Sequence, residues 1–455
     1  MIGITSKLAK FVAETKFTSL PAVAVGEAKK HILDCLGVTL AGSREEPSRI
    51  VADFVRESGG NPQASVLGTG FTTSASDAAL ANGTAAHVLD FDDVSWSLTG
   101  HPSASMLPAI LAVAEQTGAS GKDVLLAYVL ALEVAGKLGA GTNPAHYELG
   151  WHATITLGSL GAAAAAAKLL DLDRDRTAIA LGIGASEASG LRQNFGTMTK
   201  SLHAGMAARN GVMAAALARS GFTADRSILE SRFGFFNVLC RGVYDEAKIV
   251  GHLGDPFDVL SPGVGFKQYP SCHGTHWALD AAIGLAWEHD IAPAQVQAIE
   301  CIIPDLFAQM LIHSDPRSGL EGKFSMEFCM AVALLDRAAG LRQFSDARVQ
   351  APDVRELMKK VKVVIDRESS EAGRTSNFSH VTLRLNDGRT LARRVDVPKG
   401  MPECPLTMDE VVDKYRDCAG LVLARGDVER SIDMITGLDE QRDLSKLMNL
   451  MRAVD

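Results

Sequence analysis

The chain has few aromatic residues and no excess of positive charge. Aromatic side chains make up 6% of its 455 residues, although hydrophobic residues together make up 47%. We therefore expect hydrophobic cores built mainly from Ala, Leu, Val and Gly. The formal net charge is -9, and no dense run of Lys or Arg provides a local basic patch. Because nucleic acids bind basic surfaces, we expect no nucleic-acid partner.

The chain also lacks paired cysteines, a targeting segment and a long apolar run. Its seven cysteines are an odd number without CxxC spacing, which argues against a disulfide framework. Reduced thiols are typical of the cytoplasm. The N-terminus has no basic start followed by an apolar run, and no segment offers about twenty uninterrupted apolar residues. We therefore predict a cytoplasmic protein that does not contact a membrane.

Helical patterns dominate the first part of the sequence. A chain of this length usually forms two domains. Apolar residues recur at helical spacing, mostly among Ala and Gly, in the segments 21–42, 122–138, 154–170, 177–189 and 204–219. Small side chains allow helix axes to approach closely. We predict a mainly α protein in which residues 1–265 form a large all-helical domain.

The pattern changes after residue 265. Alternating apolar residues predict strands at 296–303, 360–365, 381–385 and 391–395, with helices at 275–289 and 325–339. Asn386, Asp387 and Gly388 join the last two strands, and these residue types tolerate the positive φ of a tight hairpin. Residues 266–398 are therefore predicted to form a smaller α+β domain. Beyond them the pattern is helical again, with Thr407 as a cap, and 399–455 is expected to complete the first domain.

An acidic segment between two predicted helices is the main candidate site. The run Asp90-Phe91-Asp92-Asp93 is followed closely by His101, and neither helical nor strand periodicity is present. Burying several carboxylates costs free energy unless they are paired or functional. We therefore interpret this segment as part of an active site.

Three residues that could bind anions or transfer protons each lie just before a predicted helix. His101, His152 and Lys200 each precede a predicted helix, where free backbone N–H groups and the helix dipole favour anions. Two imidazoles and an ammonium group would suit a substrate with several carboxylates. They could also remove a proton from a carbon beside a carboxylate and return one elsewhere. For any one of these residues alone, the more common situation is a core histidine or a surface lysine.

Other ligands fit the sequence less well. The acidic segment and its histidine could hold a metal, but the second acidic motif of prenyl-diphosphate enzymes is missing, as are HExxH and EF-hand patterns. Gly182-Ile183-Gly184 lacks the third glycine and the preceding strand of a dinucleotide fingerprint, and there is no Walker A sequence. We therefore expect neither a metal nor an organic cofactor.

The predicted domain junction carries a second group of polar residues. Residues 266–276 include Lys267, Tyr269, Cys272 and His273, and pockets tend to form where domains meet. Cys272 beside His273 raises the alternative of a thiol nucleophile, but adjacent residues rarely face each other productively. We interpret this segment as a loop that lines the substrate site.

Taken together, these motifs resemble the MmgE/PrpD family over nearly the whole chain. The matching segments follow the family's order: Asp90-Phe91-Asp92-Asp93, His101-Pro102-Ser103, Gly150-Trp151-His152-Ala153-Thr154, 196–205, 266–270, Lys323-Phe324-Ser325 and Pro398-Lys399-Gly400. The resemblance implies a large helical domain formed by both chain ends, a smaller α+β lid domain, a homodimer and chemistry without a metal.

The resemblance also implies site residues and an activity. The family's active-site positions correspond to Asp90, His101, His152 and Lys200, which we predict to be catalytic. Substrate-binding residues are expected at His203, Lys267, Tyr269 and His273. The family includes 2-methylcitrate dehydratases, cis-aconitate decarboxylases and iminodisuccinate epimerases. We expect a lyase that removes a proton α to a carboxylate and eliminates or adds water on a small di- or tricarboxylate.

Departures from the family bear on the choice of reaction. Val94 stands where cis-aconitate decarboxylases have Thr, Phe328 stands where an active-site Tyr is common, and the loop before His101 is a residue longer. These differences favour a dehydratase over a decarboxylase. The alternatives are an epimerase of an aspartate-derived dicarboxylate, a cis-aconitate-type decarboxylase, and a protein that binds a polycarboxylate without turnover.

Overall fold

A computed structural model describes residues 3–366 and 377–452 and has a mainly α architecture. Before residue 266 the helices are Ile4–Glu14, Ala22–Gly42, Glu46–Ser58, Ala75–Val88, Pro102–Thr117, Gly121–Thr142, Ala145–Glu148, Ala153–Leu169, Arg174–Ser186, Met198–Arg219, Phe235–Leu239 and Glu246–Val250. The later helices are His276–Glu288, Asp305–Met310, Gly319–Gly322, Met326–Asp336, Asp346–Val349, Pro352–Met358, Met408–Ala419, Arg425–Thr436 and Ser445–Arg452.

One predicted helix begins earlier than expected, and this changes the position of Lys200. The helix predicted from residue 204 begins at Met198, directly after a loop that ends at Gly196 with a φ of 83°. Lys200 is therefore the third residue of a helix and does not precede one, so that part of the prediction was wrong. His101 and His152 are the N-cap residues of their helices, as predicted.

Small residues let the helices that carry the site cross at short distance. A Cβ on Gly83, in the Ala75–Val88 helix, would come within 2.7 Å of the Cα of Gly205 in the Met198–Arg219 helix. Such a contact with backbone would force the two helices apart. The crossing therefore depends on glycine, and it brings His87 at the end of one helix beside Lys200 in the other.

The first 265 residues are not wholly helical. Ala64–Ser65 and Thr72–Thr73 form a two-stranded antiparallel ribbon. Strands of two residues are too short to produce a detectable alternation, so the all-helical prediction was wrong in this detail. Glu115 accepts hydrogen bonds from the backbone N–H and the hydroxyl of Ser65 at 2.8 and 2.7 Å, which fastens the ribbon to the Pro102–Thr117 helix.

The four predicted strands form one sheet. Their bounds are Val296–Pro304, Val361–Asp366, Ser379–Leu385 and Thr390–Val395. Val296–Pro304 pairs in parallel with Val361–Asp366 and antiparallel with Ser379–Leu385, and Thr390–Val395 completes the predicted hairpin at one edge. Gly388 has a φ of 87° in the hairpin turn, as its residue type predicts. A second hydrophobic core, which includes Trp277 and Leu383, packs helices against this sheet.

The helices after residue 399 pack against the N-terminal ones. Thr407 caps the Met408–Ala419 helix by accepting a hydrogen bond from the backbone N–H of Glu410, as predicted. Tyr415 is fully buried, and residues as late as Met448 share a hydrophobic core with Leu33. Most of the buried hydrophobic residues that the structure describes thus belong to two large cores, while the proposed domain boundaries stay a prediction.

One helix, Gly121–Thr142, is apolar and long enough by composition and length to cross a membrane. Of its most apolar window, 94% is buried inside the protein. The helix therefore has the surroundings of a core helix in a large helical protein.

Candidate active site

Asp90 is a buried carboxylate with two ammonium partners. Its φ is 51°, which is uncommon for a residue other than glycine. Its Oδ1 lies 3.1 Å from Nζ of Lys200 and also contacts Nζ of Lys267. Burial alone would raise the pKa of Asp90, but the two ammonium groups hold it well below its usual range. Asp90 is therefore an anion in the folded protein, and its buried Oδ2 has no hydrogen-bond partner among the described residues.

Three buried lysines fix the backbone of the acidic segment. They donate to successive carbonyl oxygens: Lys323 to Leu89, Lys267 to Asp90 and Lys414 to Phe91. Hydrogen bonds that involve a charged group are worth about 1.5–3 kcal/mol, so the segment is firmly held. Sequence reasoning missed Lys323 and Lys414 as parts of the site. Lys323 lies in the Lys-Phe-Ser motif, which could have identified it as a site residue. Lys414 lies in an ordinary amphipathic helix, where no sequence feature distinguishes it.

His101 is oriented by two acceptors. Its Nδ1 lies 3.0 Å from the carbonyl oxygen of Asp93 and 3.2 Å from Oδ2 of Asp92. Because both partners accept, Nδ1 carries the hydrogen and Nε2 is left for a ligand. Nε2 lies 3.7 Å from Oδ1 of Asp90. The arrangement suits proton transfer at Nε2, since Asp92 stabilises positive charge that develops on the ring.

His87 joins Asp92 to Lys200, and sequence reasoning did not single it out. Its Nδ1 lies 2.9 Å from Oδ2 of Asp92, and its Nε2 lies 2.9 Å from Nζ of Lys200. Burial lowers the pKa of His87 to about 3 even though Asp92 opposes the shift. The ring is therefore neutral; it donates to Asp92 and accepts from Lys200. His87 lies three residues before Asp90 in the sequence, and this proximity could have identified it as a candidate site residue.

Asp93 has partners that serve the fold. Its carboxylate accepts hydrogen bonds from the backbone N–H and the hydroxyl of Ser103 at 3.1 and 2.6 Å. Its Oδ2 also lies 3.0 Å from Nδ1 of His31. Ser103 is in the first turn of the Pro102–Thr117 helix, where backbone N–H groups lack helical acceptors. Asp93 therefore anchors this helix, which carries His101 at its start.

His152 and His203 form a second imidazole pair. Their Nδ1 atoms are 3.0 Å apart, so one ring donates to the other. Burial lowers the pKa of His152 well below its usual range and that of His203 to about 4, and the ammonium group of Lys200 adds to both shifts. Both rings are therefore neutral at pH 7. A neutral imidazole can accept a proton from a substrate.

These groups meet at one pocket. Its empty volume, including its open mouth, is about 540 Å³. The ionisable groups in its lining are Asp90, His101, Tyr147, His152, Lys200, Cys272 and His273, and the remainder includes Val94, Trp96, Phe195, Met310 and Phe324. The pocket thus combines one carboxylate, one ammonium group and three imidazoles with a mainly apolar wall.

Comparison with known proteins identifies the family. Residues 6–247 match the MmgE/PrpD N-terminal domain, and residues 269–440 match the MmgE/PrpD C-terminal domain. This chain belongs to the MmgE/PrpD family. The resemblance inferred from the motifs is confirmed.

Several characterised members are similar to this MmgE/PrpD chain along its whole length. A cis-aconitate decarboxylase of Mus musculus is 30% identical, and the match covers 99% of this chain and 93% of the relative. The Homo sapiens cis-aconitate decarboxylase is 29% identical, with 99% and 95% covered. A cis-aconitate decarboxylase of Aspergillus terreus is 27% identical, with 99% and 96% covered.

The four residues predicted to be catalytic in this MmgE/PrpD protein lie together. Asp90, His101, His152 and Lys200 all line the pocket, and so does His273, which was predicted to bind substrate. Their roles in a reaction stay predictions.

The other predicted substrate-binding residues contact other protein groups. Lys267 is fully buried against Asp90, and His203 supports His152. The hydroxyl of Tyr269 donates to Asp280 at 2.6 Å. These three are not among the residues that line the pocket, so direct contact with a substrate stays a prediction for each.

Val94 and Phe328, the two residues named above as departures from the family pattern, lie in different surroundings. Val94 lines the pocket and forms an isolated β-bridge with Gly265. Phe328 is fully buried in the second hydrophobic core, where its ring centroid is 5.5 Å from that of Phe344. Of these two residues, only Val94 therefore lies in the pocket wall.

Cys272 lines the pocket with its thiol protonated. Burial raises the pKa of the Cys272 thiol to about 11, and the carboxylate of Asp90 adds to the shift. The thiolate is the nucleophilic form of cysteine. The pKa therefore favours a lining role for Cys272 over nucleophilic catalysis.

Four residues of the site resemble a set of metal ligands. Potential ligand atoms of His87, Asp90, Asp92 and His101 all lie within 4.8 Å of one another. However, two ammonium groups already pair with Asp90, and one nitrogen of His87 accepts from Lys200. A divalent cation here would be repelled by both lysines. The charge distribution therefore fits an anionic substrate better than a metal.

Proposed function

We propose that this protein is a lyase that acts on a small di- or tricarboxylate by moving a proton at the carbon beside a carboxylate. The observation that carries the proposal is the pocket shared by His101, His152 and Lys200. An ammonium group binds a carboxylate, and two imidazoles provide a proton acceptor and a proton donor. We further propose that these side chains act without a metal or an organic cofactor.

His152 is the proposed base, and His101 is the proposed acid. His152 is neutral, and its Nε2 is the nitrogen that does not contact His203. In dehydration this base takes the α proton and the electron pair forms a C=C bond. The β-hydroxyl leaves as water with a proton from Nε2 of His101, which acts in its imidazolium form beside the carboxylates of Asp90 and Asp92. Lys200 binds the carboxylate beside the reacting carbon and stabilises the negative charge that develops there.

Decarboxylation is a second candidate, and the relatives favour it. The matched proteins at 30%, 29% and 27% identity are cis-aconitate decarboxylases. In that reaction a C–C bond to a carboxylate breaks, CO₂ leaves, and the electron pair is protonated on carbon. The same imidazoles could supply that proton. Val94 in the pocket wall weighs toward dehydration, whereas Phe328 lies outside the pocket and does not bear on the choice.

The test is turnover in D₂O followed by proton NMR. 2-Methylcitrate, citrate and cis-aconitate are incubated separately with the purified protein. We expect loss of water from a hydroxy acid together with exchange of its α proton. Release of CO₂ from cis-aconitate would support the second candidate. A protein that binds these acids, as judged by a raised melting temperature, yet neither exchanges a proton nor forms a product would contradict the lyase proposal.

A further inference from the structure

We propose that Arg192 forms a second anion subsite at the edge of this pocket and binds a carboxylate remote from the reacting carbon. The inference rests on the proposed function and extends it, because it assigns the substrate at least two carboxylates held by separate cations.

The turn that contains Arg192 forms backbone contacts with the two residues that precede His152. Arg192 begins the short 3₁₀ turn Arg192–Asn194. Its backbone N–H donates to the carbonyl of Gly150 at 3.0 Å, and the preceding Leu191 forms a β-bridge with Trp151. The next residue after the turn is Phe195, which lines the pocket with its ring centroid 5.0 Å from that of His152. Arg192 is thus held at a fixed position beside the proposed base.

The guanidinium group of Arg192, which is not itself among the lining residues, packs on Tyr147 of the pocket wall. Its central carbon lies 3.9 Å from the centroid of the Tyr147 ring, and Tyr147 is a buried lining residue. Burial raises the pKa of Tyr147, and both the charge of Arg192 and a side-chain hydrogen bond with Arg192 partly oppose that shift. The positive charge therefore lies close to the phenol hydroxyl as well as to the ring face.

This guanidinium lacks the carboxylate partner that a sheltered arginine usually has. Within 3–366 and 377–452, Nε and Nη1 of Arg192 are shielded from solvent and have no hydrogen-bond partner, and no ion pair forms with a carboxylate. By contrast, Arg348 pairs with both Asp336 and Asp353. Sheltered charged donors cost free energy unless they are paired. Unused Nε–H and Nη–H groups are the two donors with which arginine grips a carboxylate.

The positive charge in the pocket lining is too small to balance a di- or tricarboxylate, so we expect a second cation nearby. Lys200 is the one cationic side chain in the lining given by the described residues, and Asp90 already neutralises part of its charge. A di- or tricarboxylate brings at least two negative charges. A further nitrogen without a partner, Nε2 of His313, lies against Gly196 in the same loop as Arg192. Unpaired polar groups that an anion would satisfy thus lie on both sides of Phe195, which lines the pocket.

The test compares Arg192→Gln with Arg192→Lys in binding and turnover. The binding probe is tricarballylate, an unreactive tricarboxylate, titrated by calorimetry into the wild type and both variants. We expect Arg192→Gln to weaken binding roughly ten- to a hundredfold, and Arg192→Lys, which keeps the charge but not the two-pronged geometry, to fall between. Arg232→Gln is the matched control, since Arg232 also lies over an aromatic ring, that of Phe233, but on the surface. It should bind like the wild type.

Turnover separates this inference from the proposed function. On a tricarboxylate substrate, Arg192→Gln should raise KM by a similar factor with kcat within about threefold, because the contact is made equally in ground and transition states. Unchanged tricarballylate affinity in both folded variants, or no binding to the wild type, would overturn the subsite even if the protein is a lyase. Weakened binding in a protein without any lyase activity would support the subsite and reject the reaction. If Arg192→Gln does not fold, unchanged binding by Arg192→Lys at wild-type melting temperature would still count against it.

Discussion

Nζ of Lys200 donates a hydrogen bond to Nε2 of His87 at 2.9 Å, although both groups are bases that bind protons in water. The contact is possible because His87 is neutral: burial lowers its pKa to about 3. Burial also lowers the pKa of Lys200, while Asp90 opposes that change. His87 therefore occupies one N–H of Lys200 and Asp90 a second, which leaves the third N–H for a ligand in the pocket.

Replacing His87 should reduce activity through Lys200. His87→Leu removes the acceptor for one N–H of Lys200 and the donor to Asp92, so we expect kcat/KM to fall roughly ten- to a hundredfold. His87→Gln can donate and accept at similar places and should recover part of that loss. The measurement is the pH dependence of kcat/KM for both variants. A loss without any change in the shape of the pH profile, and without recovery in His87→Gln, would mean that His87 only supports the fold.

Lys200→Met should weaken substrate binding and leave the fold intact. Lys267 remains beside Asp90 in this variant, so the buried carboxylate keeps one ammonium partner. Loss of a charge-assisted contact should reduce affinity about ten- to a hundredfold. The control is Lys359→Met, whose exposed ammonium group pairs only with Glu356 among the described residues. Equal affinity for tricarballylate in Lys200→Met and the wild type, or a large drop in melting temperature, would contradict the assigned role.

His101→Gln and His152→Gln should each lower kcat about a hundredfold or more, a typical contribution of general acid–base catalysis. Glutamine keeps a polar side chain but cannot transfer a proton at neutral pH. His289→Gln, at an exposed residue outside the pocket, is the control. Turnover should be measured together with exchange of the α proton into D₂O. If His152→Gln keeps wild-type exchange, the base is another group and His101 or Lys200 becomes the next candidate.

The sequence predicted the elements of this fold well because their signals are local. Helix and strand periodicity, the Thr407 cap and the hairpin turn at Gly388 each depend on neighbours within a few residues. The motifs also identified Asp90, His101, His152 and Lys200, which meet at one pocket. The groups that hold them were missed because their contacts are remote. Lys414 binds the carbonyl of Phe91 across 323 residues, and nothing near Lys414 distinguishes it from an ordinary helix residue.

Treatment with a strong chelator should leave activity unchanged. The four residues with ligand-like spacing are Asp90, Asp92, His87 and His101, and two lysines already compensate Asp90. The assay is turnover before and after dialysis against a chelator, with a heat-inactivated sample as the background. Activity that disappears on dialysis and returns only with a divalent cation would show that the ammonium groups do not have the role proposed for them.

A separate buried carboxylate, Asp258, provides a prediction about stability. Its backbone N–H donates to Glu133 at 2.6 Å, and its Oδ1 lies 3.9 Å from Nζ of Lys137 and 3.5 Å from the hydroxyl of Ser97. Burial and, to a smaller extent, the charge of Glu133 raise the pKa of Asp258 to about 7, although Lys137 and Ser97 oppose the shift. The folded protein therefore keeps a proton on Asp258 that the unfolded chain releases near its ordinary pKa of about 3.9.

Asp258→Asn should remove a pH dependence of stability between about pH 4 and pH 7. Over that range the folded wild type binds one more proton at this residue than the unfolded chain does, so raising the pH favours unfolding. Above pH 7 the carboxyl is ionised in both states and the slope vanishes. Each unit of pKa shift corresponds to about 1.4 kcal/mol. The free energy of unfolding of the variant minus that of the wild type should therefore be larger at pH 8 than at pH 4, by on the order of a few kcal/mol. Melting temperatures of both proteins, measured from pH 4 to pH 8, test this difference, and parallel curves would show that the pKa of Asp258 is not raised in the folded protein.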